Sequence, residues 1–403
     1  LAKSKIEIIF LALPVVFRKE HLKTRTNCII LLVLISCELT PARGQTCSLD
    51  GQASGWIMFT PDNSQVSQTG LRYIPELSLK QKLNDDLNAD MDLSLDAYTT
   101  EIFAKNQQTR YDGIIKPYRA SIRLASDVFE ARVGLQKISF GTATLFRPLM
   151  WFDKIDPRDP LQLTNGVYGL LTRYYFLTNT NIWLWGLYGN EETKGWEIAP
   201  TQKKSVEYGS RIQARLLSGE TGISYHHREA DLSNLTGIPT DTGGYSVPEN
   251  RFALDGKWDI GIGVWFEAVI IHEQTEIPGM KYQRLWTLGA DYTFDIGNGL
   301  TVLTEYFRDE HPSNVFGPAD GIGFSGLSLN YSLGTLDRIS IILYRDWIDQ
   351  DWYRLITLQR TYDNWIIYLL GFWNPNNIQL YQTQGGNSLF AGNGIQLMIV
   401  FNH

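Results

Sequence analysis

From about residue 70 onward, apolar and polar side chains alternate in stretches of about ten residues along a chain of 403. Tyr118, Ala120, Ile122 and Leu124 alternate with Arg119, Ser121 and Arg123. Val206, Tyr208, Ser210, Ile212, Ala214 and Leu216 alternate with Glu207, Arg211, Gln213 and Arg215. Ile395, Leu397, Ile399 and Phe401 alternate with Gln396 and Met398. A period of two means strand, because successive side chains point to opposite faces. Strands of this length with one apolar and one charged face make a wall between lipid and water. The pattern therefore predicts an all-β fold, a transmembrane antiparallel up-and-down β-barrel.

Reading the breaks as turns places strands at 54–60, 72–83, 87–99, 116–126, 128–139, 166–177, 180–190, 205–217 and 219–229. They continue at 249–259, 261–273, 283–295, 299–309, 321–333, 337–347, 351–362, 364–374 and 393–401. That is about eighteen, with sixteen left open if one hairpin merges. Tight breaks at Asn84-Asp85-Asp86, Ser126-Asp127, Thr178-Asn179, Ser218, Ile260, Asn298 and Asp363 alternate with long polar ones. The long ones are 61–71, 100–115, 140–165, 191–204, 230–248, 274–282, 310–320 and 375–392. Outer-membrane barrels keep short turns in the periplasm and long loops outside, which puts both ends of this barrel at the periplasmic rim. No linker interrupts the pattern, so 46–403 is expected to be a single barrel domain. Tyr 20, Phe 18, Trp 12 and Gly 35 suit strands and tight breaks. A mean hydropathy of -0.18 is what a lipid face averaged with a wet lumen gives.

Residues 1–45 read as an N-terminal extension plus signal peptide, which suits a Gram-negative outer membrane. Arg18, Lys19, Lys23 and Arg25 precede the apolar run 28–36, and Thr40-Pro41-Ala42-Arg43-Gly44-Gln45 follows it. Cleavage after Gln45 is one option. Leu34-Ile35-Ser36-Cys37 also fits the pattern at which bacterial lipoproteins are cut and acylated. Without the leader, 29 basic residues face 40 acidic ones, which argues against a nucleic-acid partner. Cys47 is then the only cysteine, so neither a disulfide framework nor a cysteine-rich metal site is expected. No cofactor or metal is expected either.

With the apolar side of each strand toward lipid, the other side faces the lumen. Asp90, Asp92, Asp96, Arg119, Arg123, Glu130 and Arg132 then line the pore, joined further round by Arg211, Arg215 and Glu267. Glu76, Lys80, Lys82, Arg173, Glu207, Glu220, Arg228, Asp255, Lys257, Glu305 and Arg338 share that side. Across the turn at 126–128, Arg123 should oppose Glu130 and Ser121 should oppose Arg132. Opposite charges so placed stabilise a sheet by roughly 0.2–1 kcal/mol. The lattice either braces the wall or sets the field in the pore, and its near balance of signs predicts weak ion selectivity. Tyr174, Tyr175, Phe176, Trp183, Trp185, Trp258, Trp352, Tyr353, Trp365, Phe372 and Trp373 sit near strand ends, where amphipathic rings form girdles.

The segment 140–165 is the most unusual connection. It mixes Leu149, Met150, Trp151 and Phe152 with Arg147, Asp153, Lys154, Asp156, Arg158 and Asp159. Exposed loops seldom carry so many large apolar residues. Either it folds inward as a constriction, with Arg147, Trp151, Asp153, Asp156, Arg158 and Asp159 at the narrowing, or it docks a partner protein.

Arg132-x-Gly134-x-Gln136-x-Ile138-x-Phe140-Gly141, then a Trp- and Asp-rich loop and the strand 166–176, resembles the strand–loop–strand of alginate-export-like and related outer-membrane porins. The resemblance is limited to residues 132–176. It implies a barrel of about eighteen strands that passes small solutes or polysaccharide. Enzyme motifs are lacking. His226 and His227 are neighbours on a strand, so their rings point to opposite sides and cannot chelate one metal together. No Gly-Lys-Ser/Thr phosphate loop, Gly-x-Ser-x-Gly elbow or His-Glu-x-x-His helix occurs. The expected function is a porin-like channel for passive diffusion of small hydrophilic solutes or saccharides, not an enzyme. The alternatives are a non-conducting accessory barrel of a larger envelope complex, or a secreted soluble β-protein. Expected partners are outer-membrane lipid and lipopolysaccharide, the solutes, and a second copy or an envelope-complex subunit.

Overall fold

A computed structural model describes residues 45–61, 65–104, 108–233, 245–275, 277, 279–376 and 390–403. The segment expected to be a leader, with Cys28 and Cys37, lies outside the described residues up to residue 44, as does most of the 375–392 loop. The strands are β1 (Gln45–Phe59), β2 (Gln65–Lys82), β3 (Asn88–Ala104), β4 (Arg110–Ala125), β5 (Phe129–Gln136) and β6 (Val167–Tyr175). Next come β7 (Asn181–Tyr188), β8 (Val206–Leu216), β9 (Gly219–Asp231), β10 (Ser246–Asp259), β11 (Gly263–Glu273) and β12 (Tyr282–Phe294). The last are β13 (Leu300–Glu310), β14 (Gly321–Ser332), β15 (Asp337–Asp346), β16 (Trp352–Thr361), β17 (Trp365–Trp373) and β18 (Asn393–Asn402). Each pairs antiparallel with its chain neighbours, and β1 pairs with both β2 and β18. The result is a closed antiparallel barrel of eighteen strands. No helix occurs among the described residues. Closure leaves no row of unpaired backbone groups through the wall, which a lipid environment demands.

The wall is taller on one side than the alternation suggests. β2 has 18 residues and β3 has 17, whereas β5 and β7 have 8 each. Much of 61–71 and 100–115, expected as loop, is strand. These stretches are rich in Ser, Thr, Gln and Gly and lack an apolar face. Their backbones nonetheless continue the ladder, with Gln68 opposite Ile102 and Thr100 opposite Asp112.

The β4–β5 register also differs from expectation. The turn holds two residues, Asp127 and Val128, and the Ser126 N–H donates to the Phe129 carbonyl at 2.7 Å. Pairing therefore sets Arg123 opposite Arg132, Ala125 opposite Glu130 and Ser121 opposite Gly134. Two arginines face each other, and Glu130 bridges them diagonally, at 3.1 Å from Arg123 and 3.4 Å from Arg132.

Strand parity divides the aromatic residues as well. Tyr174, Phe176, Trp352, Trp365 and Trp373 point outward and are exposed. Trp185, Tyr353 and Phe372 are buried on the inner face, where they pack the interior and form no girdle. Neighbouring positions on a strand face opposite sides, so adjacent rings such as Trp352 and Tyr353 cannot share one.

Candidate functional site: the lumen and its inward loops

The β5–β6 connection, residues 137–166, lies against the inner wall. Leu145, Phe146, Leu149, Met150, Trp151 and Phe152 are all buried. The Phe146 ring is 5.5 Å from Phe307 of β13, 6.0 Å from Phe324 of β14 and 5.1 Å from Tyr344 of β15. The inner face is apolar here because the loop covers it. Alternation alone does not tell a wet face from a covered one.

Carboxylates clamp the loop backbone. Glu267 of β11 accepts the N–H groups of Thr142 at 2.5 Å, Ala143 at 2.7 Å and Leu149 at 3.0 Å. Glu305 of β13 accepts those of Thr144 at 2.6 Å, Leu145 at 2.9 Å and Phe146 at 2.7 Å. Between them the Thr287 hydroxyl of β12 donates to the Phe146 carbonyl at 2.8 Å. A loop inside a barrel must satisfy its backbone polar groups without bulk water, and these side chains do so. The Trp265 indole N–H also reaches Glu305, at 2.9 Å, passing over Gly289. A Cβ at Gly289 would come within 2.3 Å of the indole nitrogen, so that crossing needs glycine.

The loop then crosses the interior. Arg147 grips Asp153 at 3.1 Å, and Asp156 pairs with Arg158 at 2.7 Å. Arg158 lies 5.5 Å over the Phe390 ring, and Leu161 packs against the inner apolar cluster that includes Tyr368, Leu370 and Met398. At the far end Arg119 of β4 donates to the Thr164 carbonyl at 3.1 Å, and Lys116 to Asn165 at 2.8 Å. Since β13 lies half-way round the ring from β4, the segment spans the barrel. Burial pushes the Asp159 carboxyl above its ordinary value; Asp156 adds to this, while the Leu161 N–H and Arg72 oppose it. Burial also lowers the Lys154 ammonium, which donates to Thr193 at 3.1 Å.

A second connection, 189–205 between β7 and β8, also lies inside. Trp196 stacks on Phe307 at 4.9 Å and donates to the Arg147 carbonyl at 2.8 Å. Lys194 pairs with Glu207 at 2.9 Å, and Glu197 with Arg251 at 2.8 Å. Glu249 takes both Arg228 and Arg251 at 2.6 Å. All six charged groups are buried. Glu249 and Arg251 share the inward parity of Asp255 and Lys257 on their strand but are missing from the inward residues expected from sequence. Lys194 and Glu197 lie in a break that the period-two pattern leaves unassigned, where the one hint is Trp196.

The residues assigned to the pore from sequence fall into two sets. Asp90 pairs with Arg123 at 2.7 Å, Asp92 accepts from Ser78 at 2.8 Å, and Asp96 pairs with Arg72 at 3.1 Å. These, with Arg119, Glu130 and Arg132, stand on the inner wall of β3–β5, and Arg215 is exposed near the short turn after β8. Arg211 and Glu267 point inward too but lie beneath the loop. Arg211 forks onto Asp255 at 2.6 and 2.8 Å and sits 5.1 Å over the Phe140 ring. His226 is sealed in as well, accepting from Trp185 at 3.1 Å, while His227 on the other face meets Asn250 at 3.0 Å. Among the described residues no cluster is placed to hold a metal ion. Beside the loop, a cavity of about 310 Å³ is lined by Asp50, Gln52, Glu76, Tyr118, Leu163 and Asn402, among others.

No family model and no curated protein matches the chain. Solved structures do. The chain aligns over 89% of its length with 98% of OccAB4 from Acinetobacter baumannii, at 8% identity and a TM-score of 0.54. It aligns over 89% with 98% of OccK5 (OpdH) from Pseudomonas aeruginosa, at 12% identity and a TM-score of 0.54. The shared fold is that of outer-membrane porins. At such identities the likeness is one of fold.

Proposed function

We propose that the chain is an integral outer-membrane channel through which small hydrophilic solutes or saccharides diffuse, with no catalytic role. The carrying observation is the β5–β6 connection, clamped to β11–β13 and reaching β4, with a cavity of about 310 Å³ between it and the polar inner wall of β1, β2 and β4. The porin fold, the outward apolar belt and the long connections after β5 and β7 support the same reading. Mechanism reduces to size and field. The loop sets the cross-section, and the mixed Asp and Arg wall gives only modest preference for either sign. Proteoliposomes of the folded chain should swell in small sugars and respond progressively less as solute size rises. No swelling in any of them would overturn the proposal.

The second reading, a plugged accessory barrel of an envelope complex, is favoured by the second inward connection at 189–205. It predicts impermeable proteoliposomes from a correctly folded barrel.

A further inference from the structure

Four strands each place an arginine on the outward face within two residues of their long-loop ends. They are Arg284 of β12, Arg308 of β13, Arg345 of β15 and Arg354 of β16. Their neighbours Leu285, Phe307, Tyr344 and Tyr353 are buried on the inner face, which fixes the arginines outside. Within the described strands, no other outward position this close to that rim carries Lys or Arg, and β9 carries Glu229 and Asp231, although exposed Lys137 follows β5 and exposed Lys203 and Lys204 precede β8. Strand-borne positive charge at this rim is gathered on one sector.

β14, in the middle of the sector, presents only Gly321, Gly323 and Ser325 outward. The Arg308 stem lies over Gly323, where a Cβ would come within 3.1 Å of its Cδ. Trp347 donates to the Ser325 hydroxyl at 2.9 Å. Arg345 sits 5.9 Å over Trp347 and 5.3 Å over Trp352, and donates to the Gln350 carbonyl. Glu310 takes Arg284 at 2.7 Å and Arg308 at 3.1 Å, so one outward carboxylate serves two guanidinium groups. Asp349 and Asp351 belong to the connection beyond the strands. Toward the middle of the barrel the same faces carry Leu327, Leu329, Ile341 and Leu343, a surface for acyl chains.

Resting on the outer-membrane reading, we propose that this sector binds the phosphorylated headgroup of an outer-leaflet lipid, with phosphate held between the guanidinium groups of Arg308 and Arg345. Tryptophan rings mark the level of the headgroups. Guanidinium forks match phosphate oxygens bidentately, and the low dielectric of the interface strengthens each contact. β14 carries no large outward side chain at this rim, so Arg308 and Arg345 on the flanking strands approach one another across it.

The test is native mass spectrometry of the folded chain released from phosphatidylcholine bilayers, offered diphosphorylated lipid A or the same lipid with both phosphates removed. The wild type should retain the phosphorylated form roughly tenfold better. R308Q/R345Q should lose that preference, and R360Q, whose arginine is on the outward face at the short-turn rim, should keep it. Heat-dependent gel mobility reports that each variant folds. Should the double variant not fold, R354Q alone, at an exposed site, should still weaken retention several-fold. Equal retention of both lipids by wild type, or undiminished preference in the folded variants, overturns the proposal while leaving the membrane reading intact. Failure of the wild type to enter phosphatidylcholine bilayers overturns both.

Discussion

Glu267 and Glu305, two strands apart on the inner wall, divide between them six backbone N–H groups of one loop. Neither carboxylate has a salt-bridge partner among the described residues, so the loop backbone itself supplies their stabilising dipoles. The pair ties the barrel wall to the segment that occupies its interior.

Removing both carboxylates in E267A/E305A should leave those amides unpaired, at about 1–3 kcal/mol for each group that finds no water. Hydrogen exchange at residues 142–149 is the readout. Those amides should be protected in the wild type and exchange much faster in the variant, with β1–β4 unchanged. Equal protection would mean that packing alone holds the loop.

Gly289→Val should displace the Trp265 indole from Glu305, because the new Cβ falls at 2.3 Å from its nitrogen. Overpacking of this kind costs about 1–3 kcal/mol. Gly186→Val is the matched control, since a Cβ there meets nothing within 4 Å. Urea midpoints in micelles should separate the two variants.

Glu249→Ala should strip Arg228 and Arg251 of a shared partner inside the wall. Leaving buried charge uncompensated costs about 3–5 kcal/mol, whereas Arg215→Ala at its exposed site should change stability by under about 0.5 kcal/mol. Thermal unfolding of the two variants checks the contrast. A mild Glu249→Ala would place water in that network.

Asp159 makes the loop sensitive to pH in a defined direction. Its folded carboxyl titrates above the ordinary 3.8, so the folded state holds the proton more tightly than the unfolded one. The penalty for ionising it therefore sets in as pH rises through 3.8 and is complete above its raised folded value. Asp159→Asn, which keeps the acceptor for the Leu161 N–H, should stabilise the barrel at neutral pH and flatten that part of the profile. A variant less stable at neutral pH would contradict this.

Strand number and strand type were legible in the period-two pattern, because one face of each strand is apolar and the other polar. The extent of strand in 61–71 and 100–115 was not, because polar sequence there continues the ladder. Register was less legible too. Whether the two-residue turn sits at 126–127 or at 127–128 decides whether Arg123 meets Glu130 or Arg132, and turn chemistry there is ambiguous. The apolar content of 140–165 pointed to an inward loop. Its partners did not follow, because Glu267 and Glu305 look like any other inward acids until the loop backbone is placed beside them. The inner burial of Trp185, Tyr353 and Phe372 was hidden for the same reason: a ring near a strand end reads as a girdle unless something inside covers it.

Single-channel recording in planar bilayers tests the central claim, comparing the wild type with E267A/E305A. A solute channel narrowed by a clamped loop predicts open steps in the wild type and larger, noisier ones in the variant. A folded wild type that stays silent, or steps of equal size in both, would contradict it.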